Sequence, residues 1–378
     1  MSPLALNTLS HRVTERKAAM VVTLARGTDP LGHVRRGRRN AVLVALMLLG
    51  LVVTVLVTTA LGPVFVAPET VGRILAFKLF AVGEVSWDAT AEGIVWAGRF
   101  PRVLLAVAVG AGLAVCGMAL QAMVRNMLAD PYLLGINSGA STGAALSILF
   151  GIGLGFGEYA LTGSAFLGAL GASLLVFFVA RAAGRITSVR LLLAGVAVGY
   201  ALSALTSFLI FMSGSAEGSR SVMFWLLGSL TLASWGVPLF LVLGVVVLTL
   251  GVLTAWGTRL DALAIGDETA HILGISATRF RTQLLVLVSL CVGVVVAASG
   301  SIGFVGLVVP HLARRLAGAV HAWSLPVAAL MGGTFLAWAD LLARTVLQPR
   351  ELPIGIITAL VGAPFLLYLI RSLYRTGA

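Results

Sequence analysis

The chain has 378 residues, 59% hydrophobic and 11% charged, with a mean hydropathy of +1.04 and a formal net charge of +12. A soluble protein of this length cannot hide so much apolar surface, so the composition specifies a polytopic membrane protein. It also excludes a P-loop, because the two lysines, Lys17 and Lys78, do not follow glycine.

Residues 1–40 form a polar, basic tail carrying Arg12, Arg16, Lys17, Arg26, Arg35, Arg36, Arg38 and Arg39, in which residues 9–26 have a weakly amphipathic pattern. The uncharged run 41–61 follows directly and is long enough to cross a bilayer at about 1.5 Å per residue. It is too long for a signal peptide and has no small-residue cleavage site. After a loop of mixed charge come further apolar segments at 103–124, 133–153, 161–180, 191–212, 235–256, 283–300, 304–318, 323–343 and 354–371. The expected fold is therefore all-α with ten transmembrane helices, residues 41–378 forming one membrane domain. The eighth segment is the weakest, since it is short, contains Pro310 and runs into Arg314 and Arg315. Cys116 and Cys291 lie inside apolar runs as small core residues rather than a disulfide or a metal pair. Among the 44 glycines, Gly139 with Gly143 and Gly151 with Gly155 have the four-residue spacing that lets membrane helices approach closely.

An inside N-terminus and ten spans place the C-terminus inside as well. The inside segments then collect the tail, Arg125, Arg181, Arg185, Arg190, Arg259, Arg279, Arg281, Arg314, Arg315, Arg371 and Arg375, which are most of the 26 basic residues. This positive-inside bias accounts for the net charge without invoking nucleic acid. The expected location is the cell membrane, multi-pass, with both termini cytoplasmic.

The most polar stretch of the C-terminal two-thirds is GTRLDALAIGDETAHILGISATRFRT, residues 257–282, which this topology puts in the cytoplasm. Asp267 and Glu268 suit the start of a short helix, where the dipole favours negative charge. Gly274 can end that helix and Ser276 can cap the next. The stretch reads either as a docking knob for a soluble partner or as an ordinary hydrophilic loop.

Five segments, in order, resemble one family. They are RFPRVLLAVAVGAGLAVCGMALQAMVRNMLADPYLLGINSGASTGA (99–144), LLLAGVAVGYALSAL (191–205), the 266–281 stretch, SGSIGFVGLVVPHLARR (299–315) and ADLLARTVLQPRELPIGIITALVGAPFLLYLI (339–370). Together they look like the FecCD-type permeases, the membrane subunits of ABC importers for iron–siderophores, haem and cobalamin. Met127 departs from the family, which usually has proline there.

The resemblance implies a type II ABC importer permease fold. It also implies two ATPase subunits, a second permease copy or paralogue, an extracytoplasmic substrate-binding protein and surrounding membrane lipid as partners. ATP and Mg would be bound by the ATPase, so this chain is expected to hold no cofactor of its own and to be no enzyme. For residues 257–282 it implies coupling to the ATPase, through Asp267, Glu268, Ala270, Leu273, Gly274, Ile275 and Arg279. It implies docking of the binding protein at Arg99, Arg102 and Arg344, for which the bland reading is interfacial anchoring. It implies a pathway lined by Ser203, Thr206, Ser207, Phe211, Met212 and Thr358, and a gating helix near Val222–Leu230.

Three further residues are read from position. Asp340 stands four residues before Arg344, a spacing that allows an ion pair, and a membrane carboxylate needs such a partner. His311, beside Pro310, reads as a packing residue and not a metal ligand. Arg125, Asn126, Asp130 and Pro131 form a cytoplasmic turn. The expected function is import of a ferric siderophore driven by ATP hydrolysis in a partner, with haem or cobalamin as alternatives on the same architecture. A secondary transporter driven by an ion gradient would need membrane carboxylates, and Asp340 is the candidate for one.

Overall fold

A computed structural model describes residues 33–182, 184 and 186–375, so the predictions for residues 1–32 and Arg185 lie outside the described residues. The chain divides by packing into Met1–Ala45 and Leu46–Ala378. Helix α1 (His33–Ala60) runs across this division, and the described part of the basic segment, including Arg35, Arg36, Arg38 and Arg39, is helical. Arginine is a good helix former, and nothing between Arg35 and Ala41 breaks the helix.

The second unit is helical throughout, with no strand among its described residues. Helix α2 (Pro68–Phe80) precedes α3, which runs Ala89–Val124 with a π-helical stretch at Gly93–Arg99. There follow α4 (Ile136–Phe150), α5 (Ala160–Ala182), α6 (Ser188–Met212), α7 (Ala216–Leu226) and α8 (Val237–Ala255). The short helices α9 (Gly257–Ile265) and α10 (Asp267–Ile272) lead to α11 (Ala277–Ser299). The last three are α12 (Val305–Ala317), α13 (His321–Thr345) and α14 (Ile354–Arg375).

Every expected span falls on a helix. Seven helices among the described residues are long and apolar enough to cross a membrane unaided, namely α1, α3, α5, α6, α8, α11 and α13. Helices α4 and α12 have 15 and 13 residues, and α14 has a short apolar section at Ile354–Leu369. Two of these shorter helices adjoin breaks. The chain leaves helix between α3 and α4, and again at Gly300–Phe304. The helix expected around Val222–Leu230 is α7, which stops at Leu226.

Helix α3 is the core, 83% buried over its apolar window against 11% for α1. It packs against α13, α12, α8 and α11. Glycine sets the closest approaches. A Cβ on Gly110 would come within 2.1 Å of the Gly332 carbonyl oxygen, and one on Gly117 within 1.9 Å of that of Gly306. Gly139 and Gly143 do the same for α4 against α5, at 2.3 Å from Gly168 O and 2.1 Å from Ser164 O. The Gly151–Gly155 pair is not a packing pair. Gly151 ends α4 with φ +66°, and Gly155 faces open space.

Overpacking a close helix contact costs about 1–3 kcal/mol. Gly139→Val is expected to lower the unfolding midpoint accordingly, while Gly155→Ala leaves it unchanged. A thiol-reactive dye gives the readout, because Cys116 and Cys291 are fully buried until the helices part.

Candidate coupling surface, charge cluster and pathway face

Helices α9 and α10 form the knob. Asp267 is the first residue of α10 and Gly274 sits just past its end with φ +75°. There the Gly274 and Ile275 N–H groups donate to His271 O (2.9 Å) and Ala270 O (2.8 Å). These close the orphan carbonyls of a helix C-terminus in the manner of a Schellman turn. Ser276 occupies the N-cap position of α11, although its side chain makes no capping bond.

The knob is fastened at both sides. The Asp261 carboxylate accepts from the backbone N–H of His321 at 3.0 Å and meets His321 Nδ1 at 2.5 Å, tying α9 to the start of α13. Asp267 receives a two-pronged bond from Arg281, Nη2 to Oδ1 at 2.6 Å and Nη1 to Oδ2 at 2.8 Å. That guanidinium holds the Asp267 carboxyl below the usual carboxylate range.

The surface the knob presents differs in part from expectation. Ile272, Leu273 and Ile265 are exposed, as are Glu268, Gly274 and Arg279. Ala270 is fully buried, so it anchors the knob inward and offers nothing to a partner. Asp267 is half-buried and committed to Arg281, which makes it a fastening residue more than a rim charge. Ile275 is half-buried. Beside α10, the turn after α3 exposes Arg125, Asn126, Met127 and Leu128. Asp130 in this turn accepts from the Tyr132 N–H at 2.9 Å. Burial still pushes its carboxyl up, from an ordinary 3.8 to about 6.

Roughly 30 Å away along α3, by its 1.5 Å rise per residue, lie the three arginines expected to receive a binding protein. Arg99 and Arg344 are buried, which runs against that role. The Arg99 guanidinium donates to the carbonyls of Thr59 (3.2 Å), Ala60 (2.9 Å) and Val64, and Arg344 Nη2 donates to Thr58 O at 3.1 Å. All four acceptors are at or just past the end of α1, where four carbonyls lack helical partners and the dipole favours a cation. Arg102 bonds Asp340 at 2.9 Å and Glu351 at 2.9 Å. It keeps 12% of its side chain exposed, while Glu351 keeps 40%. The Asp340–Arg344 pair exists as its spacing predicts, Nε to Oδ2 at 3.0 Å.

On the expected pathway face, Ser203, Ser207, Phe211 and Met212 are exposed along α6, with Tyr200 and Phe208 beside them. Thr206 and Thr358 are not. Thr206 is buried against Thr142 (Oγ1 to Oγ1 2.9 Å), holding α6 to α4, and Thr358 is fully buried and donates to Gly355 O at 3.1 Å. A hydroxyl on a tightly packed helix finds a neighbouring acceptor more readily than a lumen. After α7, the backbone of Leu227–Ser229 is tied to both neighbours. Gly355 N donates to Leu227 O (3.0 Å), Ile354 N to Gly228 O (3.2 Å) and Ser229 N to Ser299 O (2.8 Å). Beside it lies a cavity of about 380 Å³ rimmed by Tyr159, Trp225, Thr231, Trp235 and Gly300. His311 packs on Phe365, with ring centroids 6.3 Å apart.

The sequence signature of the FecCD transport family covers residues 48–372. The chain belongs to that family. It is 38% identical over 335 residues to the uncharacterized ABC transporter permease protein YvrB of Bacillus subtilis, covering 86% of this chain and 92% of that one. It is 40% identical to the hemin transport system permease protein HmuU of Yersinia pestis, covering 86% and 95%. With the cobalamin import system permease protein BtuC of Halobacterium salinarum it shares 43% identity over 75% of this chain and 74% of that one. Among solved structures, it superposes on an ABC transporter assigned to the metal-chelate type, in an inward-facing conformation. That match has a TM-score of 0.76 and 33% identity, covering 87% of this chain and 99% of the other. The chain is thus a multi-pass, all-helical permease of the ABC importer class.

In this FecCD permease, two residues that the sequence reading passed over matter to the site geometry. From sequence Arg281 reads as one more inside charge, and nothing around Tyr132 marks it out. The Tyr132 hydroxyl donates to Ile302 O and accepts from Ile302 N, both at 2.9 Å, and so satisfies the break before α12.

Removing one partner of a buried ion pair costs about 3–5 kcal/mol. Asp340→Asn is expected to destabilise the protein on that scale, read as the denaturation midpoint in detergent. A second outcome concerns pH. The Asp130 carboxyl is raised in the fold, so its contribution to stability is present below 3.8 and lost as the pH climbs through about 6. Thermal scans across that window are expected to decline more steeply for the wild type than for Asp130→Asn.

Proposed function

We propose that this permease carries a ferric siderophore inward across the cytoplasmic membrane, powered by two ATPase subunits that grip residues 257–282. Its other partners are a second permease, identical or paralogous, and an extracytoplasmic binding protein that delivers the chelate. The N- and C-termini face the cytoplasm, as the positive-inside distribution of arginine supports.

The observation that carries the choice of cargo is the uncharged exposed face of α6. Tyr200, Ser203, Ser207, Phe211 and Met212 stand along it without a carboxylate or a cation. A chelate has already satisfied its metal and is bulky, so it suits a wide lining of hydroxyl and aromatic groups that holds it weakly. A small oxyanion is different, because it calls for arginines or clustered N–H donors. The family includes both sorts of cargo by the names of its members, an Fe(3+)-citrate import permease at 38% identity and a molybdate import permease at 36%. Haem and cobalamin, named for the hemin and cobalamin relatives, fit the neutral face as well, and uptake has to separate them from a siderophore.

An ion-gradient mechanism finds little support. Asp340, its candidate carboxylate, is held between Arg102 and Arg344 and is 1% exposed. A proton relay needs a carboxylate that can change partners.

The knob suits a lever. Its two short helices are braced through Asp261 and Asp267, while Ile272 and Leu273 are 85% and 60% exposed at the tip. An apolar tip with a charged rim is the usual make-up of a protein contact.

The test is uptake into vesicles holding the permease, its ATPase and its binding protein. ATP-dependent entry of labelled ferric siderophore, faster than haem or cobalamin, is the expected result. Entry driven by an ion gradient without the ATPase would overturn the reading. In the same vesicles Leu273→Glu is expected to cut uptake roughly tenfold or more while ATP hydrolysis continues, since hot-spot truncations cost about 2 kcal/mol and up.

A further inference from the structure

We propose that Arg281 is the positioning residue that joins the knob to the pathway helix, so that a displacement of α10 is passed to α6 and α3. The proposal rests on the coupling role assigned above to residues 257–282.

Arg281 is among the largest side chains that are fully enclosed, with 1% exposure. Its guanidinium reaches three other elements. Nη1 and Nη2 hold Asp267, the first residue of α10. Nη2 also donates to Ser188 Oγ at 3.2 Å, on the first residue of α6. Nε donates to Met123 O at 3.3 Å, in the last turn of α3. Ser188 closes the figure by donating its own hydroxyl to Met123 O at 3.2 Å. Four helices, α3, α6, α10 and α11, therefore meet on one planar group.

The chemistry favours a link that transmits force. A two-pronged arginine–carboxylate bond fixes direction as well as distance, whereas a lysine ammonium is a point charge on a flexible stem. The rest of the knob is light: α10 has six residues, of which only Ala270 is fully buried. Among the described residues, Arg281 supplies the side-chain bonds that hold the first turn of α10 to the bundle. Without it Met123 O would lose its guanidinium partner and keep only the Ser188 hydroxyl. The link also ends on the helix whose exposed face carries Ser203, Ser207 and Phe211, so the contact bears on the pathway more than on the fold at large.

Two variants and two readouts test this. Arg281→Lys keeps the charge and loses the geometry. Asp267→Asn weakens only the branch to α10 and leaves the α3 and α6 contacts in place, which makes it the safer variant to fold. The first readout uses the permease alone in detergent, as hydrogen–deuterium exchange over residues 266–273. Exchange there is expected to rise in both variants, with the transmembrane helices unchanged. The second readout uses the full complex in vesicles, as chelate delivered per ATP hydrolysed. That ratio is expected to fall roughly five-fold or more, the lower range of couplings between distant sites. A change in mere stability would lower the amount of complex and leave the ratio alone.

Unchanged exchange at 266–273 overturns the proposal, and so does raised exchange with an unchanged ratio. If the wild-type complex itself shows no ATP-linked uptake, the importer reading fails separately, and the exchange experiment still decides whether Arg281 fastens α10.

Discussion

The constraint on which this structure depends is that no backbone N–H or C=O may be left bare where water is absent. A continuous helix satisfies its own groups except at the ends. The chain has many ends, because α4 and α12 are short and two breaks interrupt the bundle. Several of these openings are closed by a particular side chain. Arg99 and Arg344 take the carbonyls at the end of α1, Arg281 takes Met123 O at the end of α3, and Tyr132 takes both polar groups of Ile302. Gln121 donates weakly toward Ala129 O, Gly306 O and Leu307 O at 3.3–3.5 Å. The buried arginines are thus explained by what they cap, before any function is considered.

This also explains what could be read from the sequence. Helix positions follow from apolar length, so each expected span lands on a helix. Local features were equally legible. The start of α10 at Asp267, its end at Gly274 and the Asp340–Arg344 pair all depend on residues within a turn of one another. Partners distant in sequence were not legible. Arg99 looks like an outside charge because the chain gives no sign that Val64 and Ala60 fold back over it. Arg281 looks like one of several inside charges, although Asp267, Ser188 and Met123 converge on it. The hydroxyl residues divide for the same reason. Thr206 and Ser207 are neighbours on α6, but one faces Thr142 and the other is exposed, and only the packing of α4 decides which.

The small residues set the geometry within which these caps can act. Gly110 against Gly332 and Gly117 against Gly306 bring α13 and α12 into backbone contact with α3. At such distances a long side chain has no room along the interface, so polar reach is confined to the helix ends. Arg99, Arg102, Arg344 and Arg281 accordingly stand near the ends of α3 and α13 or the start of α11, and the middles of these helices carry no charged residue.

The two ends of α3 are held in different ways, and the difference bears on movement. At one end Arg102, Asp340, Arg344 and Glu351 form a run of charges that neutralise one another, and Arg99 adds three carbonyl contacts. Displacing Arg102, Asp340 or Arg344 would strand a charge in a poorly solvated site, which costs several kcal/mol. At the other end the Arg281 guanidinium, together with the Ser188 hydroxyl, joins α3 to α6 and α10, and the Asp267 side chain it grips is 44% exposed. Water reaches Asp267, but Arg281 is 1% exposed, so parting the pair would leave a buried charge and the two are held together. A permease built this way is pinned at the charge cluster and, at the knob, tied to α10 through a directional bond. Under the role proposed for Arg281, motion entering at α10 meets α6 at its first residue, while the charge cluster holds the remote end of α3.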